Sequence, residues 1–94
     1  MRQLVITARF RRAYRKLTKR NSVLQEHIDD VLRQMQVDVF APALGTHKLG
    51  GALWGLWASS CGYDCRVIFS LEADEENGHE VILLLDIGAH AEVY

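Results

Sequence analysis

Among the residues whose groups could move a proton or hold a phosphate, His47, Asp64, Arg66, His90 and Tyr94 together make a workable set. An imidazole titrates near neutrality and can serve as acid or base. An arginine is always charged, and its fork matches phosphate oxygens. Cleavage of RNA without a metal asks for this set. A base takes the 2′-hydroxyl proton, a cation holds the charge of the phosphorane, and an acid protonates the leaving 5′-oxygen. Each residue also has a plainer reading. His47 lies in a loop with Gly45 and Gly50-Gly51, where a histidine commonly faces solvent or caps a backbone group. Arg66 could pair with Asp64 as a structural ion pair. His27 and His79 read as surface residues.

Cys61 and Cys65 invite comparison with a metal site that adds His47 and His90. The spacing is C-x3-C at a strand entrance, whereas zinc sites favour C-x2-C knuckles with a second ligand pair. No metal or other cofactor is expected. Alternation makes Cys65 a core residue and leaves Cys61 in a turn. A disulfide is not expected in a reducing cytosol.

The elements that must position these groups follow from hydrophobic spacing. Residues 3–7 are short and β-branched and read as a strand, after which Thr7 can cap a helix. Phe10, Ala13, Tyr14 and Leu17 form the i, i+3, i+4, i+7 stripe of an amphipathic helix. Ser22 and Gln25 have capping-box spacing and open a second helix, with Leu24, Ile28, Val31, Leu32 and Met35 as its buried stripe. A loop from about residue 38 to 51 follows, holding Pro42 and three glycines. The rest is strand-like: 53–58, 63–71 and 80–87, with Asn77-Gly78 marking the last turn. Val81 to Leu85 is a continuous apolar run that suits a strand buried on both faces, ended by Gly88. The expected fold is α+β: an N-terminal strand and an antiparallel helical hairpin packed on a mostly antiparallel four-stranded sheet. Arg66 would point into the open face, which should also receive His47 and His90. Trp54 and Trp57 would face opposite sides of their strand. At most one then belongs to the main core, and the other is free for RNA bases, a partner or the second face.

At 94 residues the chain suits a single domain spanning 1–94, with 49% hydrophobic content and no apolar run near membrane length. Its N-terminal region is crowded by arginines and lacks a signal-peptide core, so a cytoplasmic address is expected. The net charge of −1 conceals a division. Residues 1–50 hold ten Lys/Arg against four Asp/Glu, and residues 51–94 hold one against eight. A basic half-surface is a plausible footprint for a phosphate backbone, and its bland counterpart is a solvated helix face.

The tail Asp86-Ile87-Gly88-Ala89-His90-Ala91-Glu92-Val93-Tyr94 resembles the ending of RelE/ParE-superfamily toxins. The segments Thr46-His47-Lys48-Leu49-Gly50-Gly51 and Tyr63-Asp64-Cys65-Arg66-Val67-Ile68-Phe69 are similar to those of the YafQ-like branch of RelE toxins. Ala89 stands where that pattern usually has threonine, and Ala91 where an acidic residue is common. The resemblance implies a ribosome-dependent messenger RNA endonuclease, the toxin half of a type II toxin–antitoxin pair. It implies His90 as leading acid/base residue, Arg66 as phosphate clamp, His47 and Asp64 in secondary roles, and Tyr94 positioning substrate. Arg11, Arg12, Arg15, Lys16, Lys19 and Lys48 would bind RNA. The implied partners are a cognate antitoxin, the ribosome and messenger RNA, with no membrane. Two alternatives share the fold: a ParE-like gyrase poison, against which His90 argues, and a non-catalytic antitoxin-binding member.

Overall fold

The computed structural model describes residues 1–93; Tyr94 and the side chains of His90 and Glu92 lie outside the described residues. Along the chain run β1 (Gln3–Ile6), α1 (Ala8–Thr18), α2 (Ser22–Val37), β2 (His47–Lys48), β3 (Trp57–Ser60), β4 (Cys65–Ala73), β5 (Glu80–Ala89) and α3 (His90–Val93). Short 3-10 turns at Pro42–Leu44 and Gly51–Leu53 flank β2.

α1 begins where the sequence places it. The Thr7 hydroxyl oxygen accepts from the Phe10 N–H at 3.2 Å and its proton goes to the Leu84 carbonyl at 2.7 Å, so the cap also ties the helix to β5. α2 starts with a different cap from the expected Ser22 box. The Asn21 side chain accepts from the Leu24 N–H at 3.1 Å, because Arg20 turns the chain at φ 61 and leaves Asn21 in the non-helical position. Tyr14 donates to Asp29 at 2.6 Å; the two residues stand about equally far from the turn, as antiparallel helices require.

The α+β architecture is as expected, but the sheet has five strands in the order β1-β5-β4-β3-β2. The fifth is the two-residue β2, which the loop supplies by pairing His47 with Ala58 and Lys48 with Trp57. β1 runs parallel to β5 and the other neighbours are antiparallel. β3 starts at Trp57 rather than 53, since Gly51 (φ 60) and Gly55 (φ 93) adopt left-handed conformations incompatible with a strand. β4 likewise starts at Cys65 because residues 61–64 form a turn. Gly88 does not end β5: it pairs with Arg66 and the strand continues to Ala89.

One irregularity decides which side chains face the helices. Ile68 pairs with Asp86 but Phe69 pairs with Leu84, so Leu85 is an extra residue on β5. This bulge resets the alternation. Leu84 and Ile87, three apart, thereby both join Val67 and Phe69 in the core beneath Phe10, Ile28, Val31 and Met35. Val81, Leu83 and Leu85 on the opposite face are half-buried, so β5 is not buried on both faces as its apolar run suggests. No described helix is long and apolar enough to cross a membrane.

Candidate functional site

The register places the open-face residues in cross-strand rows. His47, Ala58, Ile68 and Asp86 form one row over β2, β3, β4 and β5. Ser60, Arg66 and Gly88 form the next. Arg66 therefore does face away from the helices, beside a residue with no side chain. Its Nη1 donates to the Cys65 carbonyl at 2.8 Å and the Gly62 carbonyl at 3.4 Å, rather than to the Asp64 carboxylate. Asp64 lies in the exposed turn before β4, where strand alternation does not govern it. β5 ends at Ala89 opposite Cys65, so His90 opens α3 one residue beyond the ladder and Asp64 precedes the ladder by one residue on the other strand. The His90 imidazole and Tyr94 lie outside the described residues.

His47 is exposed on β2, with Nδ1 3.0 Å from the Gly45 carbonyl oxygen. It shares the open face with Arg66 but sits two strands across and two residues along, roughly 12 Å by strand and residue spacing. Lys48, its neighbour, points to the other face, where its ammonium lies 5.3 Å over the Trp57 ring. Trp57 also meets Phe40 edge-on and packs against the core, whereas Trp54 follows a 3-10 turn and is 83% exposed. One tryptophan thus serves the core and one is free.

Asp86 is not among the expected site residues, and neither is its ion pair with Arg9. β1 stops at Ile6 opposite Leu84, so residues 85–89 have no strand on that edge, and α1 packs along β5 there. The Arg9 guanidinium reaches Asp86 at 3.1 Å, and the second carboxylate oxygen accepts from the Ile87 N–H at 2.9 Å. Lys16, with Ala13 and Leu17 of the same helix, borders a hollow of about 330 Å³ against Asp86, Ile87, Gly88 and Val93. The spacing 9, 13, 16 is one helical stripe, and that periodicity was the available signal. Arg11 and Arg15 sit on the other side of α1, bordering a groove floored by Ile6, Phe10 and Leu32. Arg12 and Lys19 are exposed as well. The cations around the Gly88 end of β5 are therefore Arg66, Arg9 and Lys16. They can hold phosphate but supply no proton acceptor, a role left to the histidines and carboxylates.

Cys61 and Cys65 form a disulfide with Cα atoms 4.9 Å apart, which corrects the expectation of separate thiols. The cause is the turn: the Cys61 N–H donates to the Cys65 carbonyl at 2.9 Å, folding both cysteines inward. Cys61, placed in a turn by the sequence, is fully buried. Among the described residues no cluster of three or more His, Cys, Asp or Glu is arranged for a metal.

A five-stranded sheet opened by a parallel β1 and covered on one face by a two-helix hairpin is the fold of RelE/ParE-superfamily toxins, and this chain has that fold. It superposes on the YoeB/ParE toxin of Agrobacterium tumefaciens with a TM-score of 0.77 at 18% identity, covering 94% of this chain and 98% of that one. YafQ in the Escherichia coli DinJ–YafQ toxin–antitoxin complex gives 0.75 at 14% identity, covering 99% and 97%. A mutant toxin from Helicobacter pylori gives 0.72 at 19% identity over 100% of both chains. No family model matches the sequence, and no curated protein does.

Proposed function

We propose that this chain is the toxin of a type II toxin–antitoxin pair and a metal-independent endoribonuclease that cuts messenger RNA in the ribosomal A site. The observation that carries the reading is the join of β5 to α3. A strand of a RelE-type sheet runs into His90 one residue beyond the ladder that holds Arg66 on the open face. Arg66 would hold the charge that grows on the phosphorane. His90 would transfer the proton that the attacking 2′-hydroxyl loses or the leaving 5′-oxygen gains, with His47 and Asp64 assisting and Tyr94 positioning the base. On α1, Arg9 and Lys16, which flank the Gly88 end of β5, would meet phosphates outside the codon. An antitoxin partner is proposed because Escherichia coli YafQ forms a complex with DinJ.

The test is cleavage of a defined message by purified protein with programmed ribosomes in the presence of a chelator that spares ribosomal magnesium. Cuts within A-site codons ending in 2′,3′-cyclic phosphate and 5′-hydroxyl are expected. Intact messages together with gyrase-dependent DNA breaks would establish the gyrase reading instead.

A further inference from the structure

The disulfide sits where it can govern Arg66. The turn it closes offers the two carbonyls, Gly62 and Cys65, that receive the Arg66 guanidinium. The same two carbonyls accept from the Ser60 hydroxyl at 3.2 Å and the Cys61 N–H at 2.9 Å. The disulfide also forms part of the wall of a hollow of about 530 Å³ between the α1–α2 turn and the ends of β4 and β5. His27 is on that wall: a Cβ built on Gly62 would stand 3.9 Å from its Nε2 and 3.7 Å from the Cys65 Cβ.

We propose that Cys61–Cys65 is a thiol–disulfide exchange site, open to low-molecular-weight thiols or a protein dithiol through this hollow, whose oxidised state fixes Arg66 for RNA. The exchange stands on the turn and the hollow; its effect on RNA rests on the endoribonuclease reading. Cys65 is 9% exposed and Cys61 fully buried, so Cys65 is the residue that an incoming thiol reaches first. The incoming thiolate bonds to Cys65 Sγ, the S–S bond breaks, and its electron pair stays on Cys61 Sγ, which takes a proton. The His27 imidazole is the group on the wall suited to carry that proton. A second donor thiol attacks the mixed disulfide, leaves joined to the first, and releases Cys65 as a thiol. Two donor thiols are oxidised as the protein disulfide gains two electrons. A ring this short constrains the unfolded chain less than a long one, so opening it costs less stability. The reduced protein loses the orientation of Arg66, and a charged fork held in place binds better than one that must be ordered on binding.

The full chain is equilibrated over a series of reduced-to-oxidised glutathione ratios, quenched with acid, alkylated and weighed. Both cysteines should convert together in one two-electron transition. Two alkylated cysteines at the most oxidising ratio would overturn the site. His27→Gln should slow the exchange without moving its midpoint, and an unchanged rate would remove His27 from it. Fluorescence anisotropy with a 2′-O-methyl RNA, which cannot be cut, should show roughly tenfold weaker binding by the reduced protein. Cys61→Ser/Cys65→Ser should bind as the reduced form does at every ratio. If that variant fails to fold, the two states of the wild type decide alone. Equal affinity in the two states would overturn the coupling to Arg66. No binding in either state would sink the endoribonuclease reading and the coupling with it, and leave the exchange data to decide the site.

Discussion

The Asp86 carboxylate holds the Arg9 guanidinium at 3.1 Å across the edge of β5 that β1 leaves uncovered. Arg9 is largely exposed and Asp86 largely covered, so the pair contributes little to stability, about 1 kcal/mol or less. Its consequence is positional: it keeps one helix cation beside the row that carries Arg66. Arg9→Ala should weaken binding of an uncut RNA and lower the slope of log affinity against log salt by about one. Asp86→Asn should weaken binding in the wild type and change nothing further in the Arg9→Ala background. Tighter binding by Asp86→Asn would mean that the carboxylate merely repels RNA.

Arg66 and His90 should fail in different ways. His90→Ala removes a proton carrier, and cleavage should fall roughly 10²–10⁴-fold with RNA affinity nearly intact. Arg66→Lys keeps the charge and loses the fork, so both affinity and the cleavage step should suffer. Single-turnover cleavage on programmed ribosomes, read beside anisotropy, separates the two. Wild-type cleavage by either variant removes that residue from the mechanism.

Much of this arrangement was legible in the sequence because its helices are periodic. The stripes of α1 and α2 are the ones buried, and Thr7 caps as its type suggests. What escaped depends on contacts between distant segments. β2 exists only because Trp57 and Ala58 pair with it, and the bulge at Leu85 only because Ile68 and Phe69 take Asp86 and Leu84. Counting along the strand puts Arg66 on the open face, but its carbonyl cradle depends on how the 61–65 turn closes.

The start of α2 gives a direct test of sequence pattern against structure. Asn21, not Ser22, satisfies the Leu24 N–H. Asn21→Ala should therefore cost about 1 kcal/mol in urea unfolding, and Ser22→Ala about 0.5 kcal/mol or less. The reverse ranking would restore the capping box.

Stability should decline at alkaline pH through Tyr14. Burial raises its phenol above the ordinary value, and the hydrogen bond to Asp29 and that carboxylate's negative charge raise it further. A fold that holds this proton more tightly than the unfolded chain gains stability in full below the unfolded pKa. It loses that gain as pH rises through the folded one. Tyr14→Phe should cost about 1 kcal/mol near neutrality and flatten the decline above about pH 10. Parallel curves for variant and wild type from pH 7 to 11 would place the alkaline transition elsewhere.

The two sides of α1 should serve different ligands. Arg9 and Lys16 border residues 86–88 beside the candidate site, whereas Arg11 and Arg15 flank an apolar groove floored by Ile6, Phe10 and Leu32. Ile6 is 46% exposed there, an apolar edge that a nucleic acid would not use. An acidic amphipathic antitoxin segment would use it, laying its apolar stripe on Ile6 and Leu32 and its carboxylates on the two arginines. Arg11→Glu/Arg15→Glu should then weaken antitoxin binding steeply and leave cleavage near the wild-type rate. Lys16→Glu should reduce RNA affinity and spare the antitoxin. Calorimetry with the cognate antitoxin, set beside the ribosome assay, reads both. If all three substitutions lower RNA affinity alike and the antitoxin ignores Arg11 and Arg15, the helix is one undivided phosphate-binding face.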